Sequence, residues 1–209
     1  MGVKPDKITV TGIGPILAPN PKPQSFREQY KITNSMILFL GQHHDYKGYR
    51  QLLAAAPIVW KKYPETKFVF IGPPVKNSEY YFQDGDRRIL RLGSVDLQTK
   101  TSALAACDCL CVPSSQESFG GVYTEAWSLK KPVIGCDIPA VAEVIDHEKN
   151  GLLVTQDPRA IAASILEILS DHHLAKIMGE AGYQKVQQRF TWKKLAEKTE
   201  SAYLKALKN

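Results

Sequence analysis

Leu110-Cys111-Val112-Pro113-Ser114-Ser115-Gln116-Glu117-Ser118-Phe119-Gly120-Gly121-Val122-Tyr123-Thr124-Glu125 runs from an apolar stretch through a glycine pair into a helical pattern that continues to Leu129. Leu110 to Val112 reads as a buried strand, so Gly120 and Gly121 fall where a strand hands over to a helix. Such a junction reads as an anion site. The first amides of a helix lack internal acceptors and carry the positive end of the macrodipole, and glycines let a phosphate approach the main chain. Glu117 precedes that site and Glu125 follows it, with seven residues between them. Two acidic acceptors on either side of a phosphate cradle suit a ligand with hydroxyls at both ends of its phosphates, the layout of a nucleotide sugar.

Outward from this segment the chain repeats one theme. Short apolar or β-branched runs at 7–10, 36–40, 68–71, 88–92, 109–112, 133–135 and 152–154 predict strands. Helical patterns at 49–63, 97–105, 122–129, 141–146, 159–170 and 174–189 alternate with them, and 192–207 reads as a closing amphipathic helix. Alternation of this kind predicts an α/β fold, a Rossmann-like doubly wound parallel sheet covered on both faces. Such sheets bind ligands outside the carboxyl ends of their strands. Gly41, Gly72, Gly93, Pro113 and Gly135 each follow a predicted strand and so line one rim. Three prolines between Pro19 and Pro23 predict an extended linker. A dinucleotide-binding dehydrogenase is disfavoured, because Gly12-Ile13-Gly14 runs into proline and not into a helix.

Composition fits one module with a sizeable core: 209 residues, 44% hydrophobic, 23% charged. The net charge of +6 suits an anionic ligand or a membrane surface. The charges are spread, with no aromatic-interleaved basic patch, so nucleic acid is not an expected partner. No apolar run approaches the roughly 18 residues of a spanning helix. The polar start is unlike a signal peptide, and a cytoplasmic protein is expected. Cys107, Cys109 and Cys111 alternate as strand residues facing one side, which favours core packing over disulfides or a metal site. His43-His44 reads as part of a rim loop and His172-His173 as an exposed helix junction.

The segment from Glu117 to Glu125 resembles the paired-glutamate signature of retaining glycosyltransferases of the GT-B architecture, family 4 (group 1). Further motifs follow in the family's order. They are Gly41-Gln42-His43-His44-Asp45-Tyr46-Lys47-Gly48, Ile71-Gly72-Pro73, Leu92-Gly93, Lys131-Pro132-Val133-Ile134, Asn150-Gly151-Leu152-Leu153-Val154 and Phe190-Thr191-Trp192. The resemblance covers almost the whole chain, 1–209, and every match belongs to the family's C-terminal, donor-binding domain. It implies that Lys47 pairs with the donor diphosphate and that the amides of Phe119, Gly120 and Gly121 donate to diphosphate and sugar. It further implies that Glu117 holds sugar hydroxyls and Glu125 the ribose. Gly41, Gln42, Gly72, Leu92 and Ser118 complete the implied donor site, with Lys47 and Glu117 as its catalytic pair. Where the family has arginine after the glycine matching Gly41, this chain has Gln42, which removes a bidentate phosphate partner. His43, His44 and Arg50 are the candidates to replace it.

The resemblance implies retaining hexosyl transfer from a nucleoside-diphosphate sugar, with no metal and no other cofactor. It also implies an N-terminal acceptor-binding domain facing this one. The chain is therefore expected to be either part of a longer protein or a free-standing donor half, inactive alone, and contact of the full enzyme with a membrane surface stays open. Alternatives are a GT-B epimerase or phosphorylase half, or a non-catalytic nucleotide-sugar binding or regulatory module. On the bland reading, Glu117 and Glu125 are solvated charges and Lys47 sits in a polar turn.

Overall fold

The computed structural model describes residues 2, 4, 7–82 and 85–207. Six strands form one parallel sheet: β1 (Met36–Leu40), β2 (Lys67–Ile71), β3 (Ile89–Gly93), β4 (Cys109–Val112), β5 (Val133–Cys136) and β6 (Gly151–Val154). Their order is β3-β2-β1-β4-β5-β6, so the chain walks outward from β1 and returns to β4 on its other side. That reversal opens a crevice between the loops after β1 and β4, the position where doubly wound sheets bind ligands.

The central strands are apolar at every position because both faces of such a sheet are covered. All five residues of β1 and all four of β4 and of β5 are buried. The covering helices are α1 (Pro23–Gln29), α2 (Tyr49–Trp60), α3 (Leu97–Ala106), α4 (Gly121–Ser128), α5 (Pro139–Ala142), α6 (Pro158–Ser170), α7 (His172–Arg189) and α8 (Trp192–Leu207). Helix α2 packs on α6, α1 on α3, and α4 on α7. Trp127 of α4 is fully buried and its indole donates to the carbonyl of Asn150, which anchors the helix that carries Glu125.

The sequence pattern errs at the beginning of the chain. Residues 7–10 form no strand; Ile8 and Val10 stand more than half exposed. A β-branched run becomes a strand only where a neighbouring strand can pair and bury it. The proline-rich segment is a strap along α3: Ala18 N–H donates to Thr101 Oγ1 and Lys22 N–H to Ser102 Oγ. It ends in a helix that the sequence reading missed, since Pro23 occupies the first turn of α1, where a missing N–H is not needed. Gly93 is the last residue of β3 and Gly135 lies inside β5, so neither follows its strand as expected. Cys107 caps the end of α3, so only Cys109 and Cys111 share β4. All four cysteines are buried free thiols, and burial pushes Cys107 up to about 12. Among the described residues no helix is long and apolar enough to cross a membrane.

Candidate functional site

The loop after β1 runs from Gly41 through a 3₁₀ turn at Asp45–Lys47 to Gly48, which opens α2. The loop after β4 lies directly against it. Ser115 N–H donates to the carbonyl of Tyr46 at 2.7 Å, and the Gln156 side-chain amide bridges the carbonyls of Tyr46 and Pro113. The end of β2 presses on the same place. Gly72 has φ 145°, and a Cβ there would fall 2.0 Å from the Gly41 carbonyl oxygen, so only glycine fits.

These contacts bring the two acidic residues of the motif into matching surroundings. Lys47 Nζ lies 2.6 Å from Glu117 Oε1, with both side chains largely covered. Lys100 Nζ lies 2.7 Å from Glu125 Oε1 and 2.9 Å from the carbonyl of Ile16 in the strap. Each glutamate therefore has a lysine counter-ion delivered by a different loop or helix. The other oxygen of Glu125, Oε2, is buried without a hydrogen-bond partner. A buried acceptor left unsatisfied costs about 1–3 kcal/mol. Lys100 is absent from the sequence-derived site. Its only sequence signal is a lysine in the first turns of the helix that follows a rim strand, beside Thr101 and Ser102, which turn out buried.

Between the two pairs stands the start of α4. Helices α3, α6 and α7 begin with aspartate side chains that accept from their own first-turn amides. Helix α4 has Gly120 at its start in the left-handed conformation and no side-chain cap; Tyr123 N–H turns back to the Gly120 carbonyl, which leaves the amides of Gly121 and Val122 as the open donors. The two glycines differ. A Cβ on Gly120 would meet the Tyr123 ring at 2.5 Å, whereas at Gly121 nothing lies within 4 Å. The fold demands the first and leaves clear space beside the second.

The expected donor residues divide: some line one of two cavities, while Lys47, Glu117, Gly120 and Gly121 line neither. Gly41, Gln42, Gly72 and Glu125, with Ser94, Val95 and Lys100, line a pocket of about 300 Å³. Ser118 and Phe119 line a larger cavity of about 770 Å³ with Arg189 and Lys194, and the Phe119 ring packs edge-on against Phe190. Leu92 lies within β3 and packs on the core; Ser94 and Val95 are its neighbours on the pocket wall.

The candidates for the arginine's role fare differently. His43 is fully buried among Phe39, Tyr49, Phe70 and Phe82, and neither ring nitrogen has a partner. Burial, helped by the Arg91 charge, lowers its pKa to about 4, so at neutral pH it is an uncharged core residue and not a phosphate cation. Arg50 is paired with Asp45 at 2.6 Å and lies 3.7 Å over the Tyr81 ring. It lines a separate pocket with Gln156 and Pro158. His44 stacks on Tyr46. Gln42 is exposed on the rim.

Comparison with known proteins finds a match of residues 34–171 to the family described as glycosyl transferases group 1. Phosphatidyl-myo-inositol mannosyltransferase of Mycolicibacterium smegmatis is 33% identical over 159 residues, 74% of this chain and 40% of that protein. The chain spans about half the length of the curated relatives it matches. Among solved structures, the C-terminal domain of a group 1 glycosyl transferase, LpcC, of Francisella tularensis superposes with a TM-score of 0.73 at 26% identity, over 84% of this chain and 95% of that one. Anabaena HepE, solved with UDP and glucose, superposes with a TM-score of 0.76 at 20% identity, over 86% of this chain and 51% of that one, which is a likeness of fold.

Proposed function

The chain belongs to the group 1 glycosyl transferases, and on that premise we propose that it is the donor-binding domain of a retaining glycosyltransferase acting on a nucleoside-diphosphate sugar. The observation that carries the reading is the uncapped start of α4 set between two lysine-paired glutamates. Helix dipole and open amides attract a diphosphate. A second anchor is Lys47, which swings from Glu117 to the incoming phosphates and releases the Glu117 carboxylate to accept from sugar hydroxyls. Glu125, deeper in the smaller pocket, accepts from the ribose.

In the transfer step the C–O bond between the sugar's anomeric carbon and the diphosphate breaks and a new one forms from that carbon to an acceptor hydroxyl oxygen, whose proton leaves with the diphosphate. Negative charge accumulates on the leaving phosphate oxygens, where the first α4 amides and Lys47, once drawn off Glu117, stabilise it electrostatically. Glu117 orients the sugar and does not attack it. The acceptor is held by a second domain facing this rim. Without one, lost proximity removes roughly 7–11 kcal/mol of assistance and leaves at most slow donor hydrolysis.

Titration calorimetry with UDP, GDP and ADP and their glucose or mannose conjugates tests the reading. The expected dissociation constant lies between about 1 μM and 1 mM, or roughly −8 to −4 kcal/mol, for one nucleotide class. The UDP bound by the Anabaena protein makes uridine the first to try. No heat with any of these ligands would remove the proposal.

A further inference from the structure

Glu125 does not enter the pocket as a free carboxylate. Its Oε1 already accepts from Lys100 at 2.7 Å, and its Oε2 has no partner. Lys100 is held from a second side, because its ammonium also donates to the carbonyl of Ile16 at 2.9 Å. The strap carrying Ile16 is itself fastened to α3 through Thr101, Ser102 and Gln98. Side chain, helix and strap thus fix the ammonium next to one oxygen of the pair.

A ribose presents two adjacent hydroxyls, and an unencumbered carboxylate accepts from both, one on each oxygen. Here the first oxygen carries a charge-assisted bond, the strong kind, and the ammonium stands beside it. The second oxygen is the acceptor without a donor. It is shut in by its surroundings, but the terminal torsion of a glutamate is soft, so a small turn presents it to the pocket.

We propose that Lys100 is a positioning residue that engages one oxygen of Glu125 and leaves the other as the acceptor with both lone pairs free, so that the site reads one of the two ribose hydroxyls far more strongly than the other. The inference rests on the donor-site reading given above. It concerns specificity: a nucleotide lacking the weakly read hydroxyl should be accepted almost as well as the parent.

The test is calorimetry of the whole chain with UDP, 2′-deoxy-UDP and 3′-deoxy-UDP, with the corresponding guanosine or adenosine set if another base binds best. In the wild type one deoxy ligand should lose about tenfold in affinity, a little over one good hydrogen bond, and the other less than about twofold. In Lys100→Met, which keeps length and apolar stem but frees Oε1, the second deoxy ligand should now also lose several-fold. Lys100→Arg keeps the charge and should preserve the wild-type asymmetry. A Lys100 that merely ties down the strap would lower the melting temperature in Lys100→Met without changing which hydroxyl matters. Equal losses for both deoxy ligands in the wild type, which needs no variant, would overturn the proposal while leaving the donor site standing. So would an unchanged asymmetry in Lys100→Met. Absence of binding by every nucleoside diphosphate would overturn the donor-site reading and this inference together.

Discussion

Gly121→Ala should separate a glycine kept for the ligand from one kept for the fold. Gly121 is the first residue of α4, its φ is not positive, and an added Cβ meets nothing within 4 Å. Replacing glycine by alanine at a compatible position stabilises by about 0.4–1 kcal/mol, chiefly by restricting the unfolded chain. For a chain of 209 residues each kcal/mol moves the melting temperature by about 2–4 °C, so a rise of about 1–4 °C is expected. Gly120→Ala is the opposing control. Its φ of 74° and the Tyr123 ring 2.5 Å from the new Cβ should cost at least about 1–2 kcal/mol and lower the melting temperature by several degrees. If a diphosphate lies against the main chain at Gly121, the same methyl group that stabilises the fold blocks it, and UDP affinity should fall at least about tenfold, near 1.4 kcal/mol. Calorimetric scanning and titration on one preparation give both numbers. A Gly121→Ala chain that is more stable and binds as tightly as the wild type would refute the placement of the phosphates at the start of α4.

Three further outcomes follow from the geometry. Lys47→Ala should nearly abolish diphosphate binding, whereas Gln42→Arg, by restoring a bidentate phosphate partner on the exposed rim, should strengthen it; unchanged affinity in both by titration would show that neither position meets the phosphates. Glu125→Ala should weaken bare diphosphate and nucleotide sugar alike, by about 1.5–3 kcal/mol, and Glu117→Ala chiefly the sugar conjugate; the reverse pattern would exchange their roles. His43 titrates at about 4 when folded against 6.5 as the ordinary value. The unfolded chain therefore takes up the proton first, and stability is full above about pH 6.5 and falls as the pH drops towards 4, by up to about 3 kcal/mol from this group. Urea midpoints of wild type and His43→Phe compared at pH 7 and pH 4.5 should show a smaller acid loss in the variant, and parallel losses would mean that His43 titrates normally.

The sheet was legible because its strands are short and set at regular intervals between helical patterns, the central ones wholly apolar and only β2 and β3 carrying a charge, Lys67 and Arg91. Burial on both faces leaves that mark whatever the partners are. The motif from Glu117 to Glu125 was legible for a similar reason, being local: strand end, glycines and helix start follow one another in the chain. What escaped depended on distant partners. Residues 7–10 have the composition of a strand but no neighbour to pair with. His43 sits two residues from Gly41 and looks like a loop cation, yet rings from β1, α2 and β2 and from Phe82 enclose it. Lys100 lies 25 residues before Glu125, on another helix, and nothing in the local pattern announces that the two side chains meet.

The lysines also resolve a conflict inside the motif itself. In the proposed donor site a diphosphate settles beside two carboxylates, and an unpaired carboxylate about 4 Å from a phosphate charge would oppose it by several kcal/mol at the effective dielectric of a protein surface. Pairing Glu117 with Lys47 and Glu125 with Lys100 cancels that opposition before the ligand arrives. The two pairs differ in what holds the cation. Lys47 projects from a three-residue turn and has Glu117 as its ion-pair partner, so the phosphates can draw it away and uncover Glu117 for the sugar. Lys100 is held on a full helix and by the strap as well, so it remains on Glu125. On the proposed reading the same side-chain chemistry then supplies a movable counter-ion on the sugar side and a fixed one on the ribose side, which suits a site that releases one end of its ligand and keeps the other.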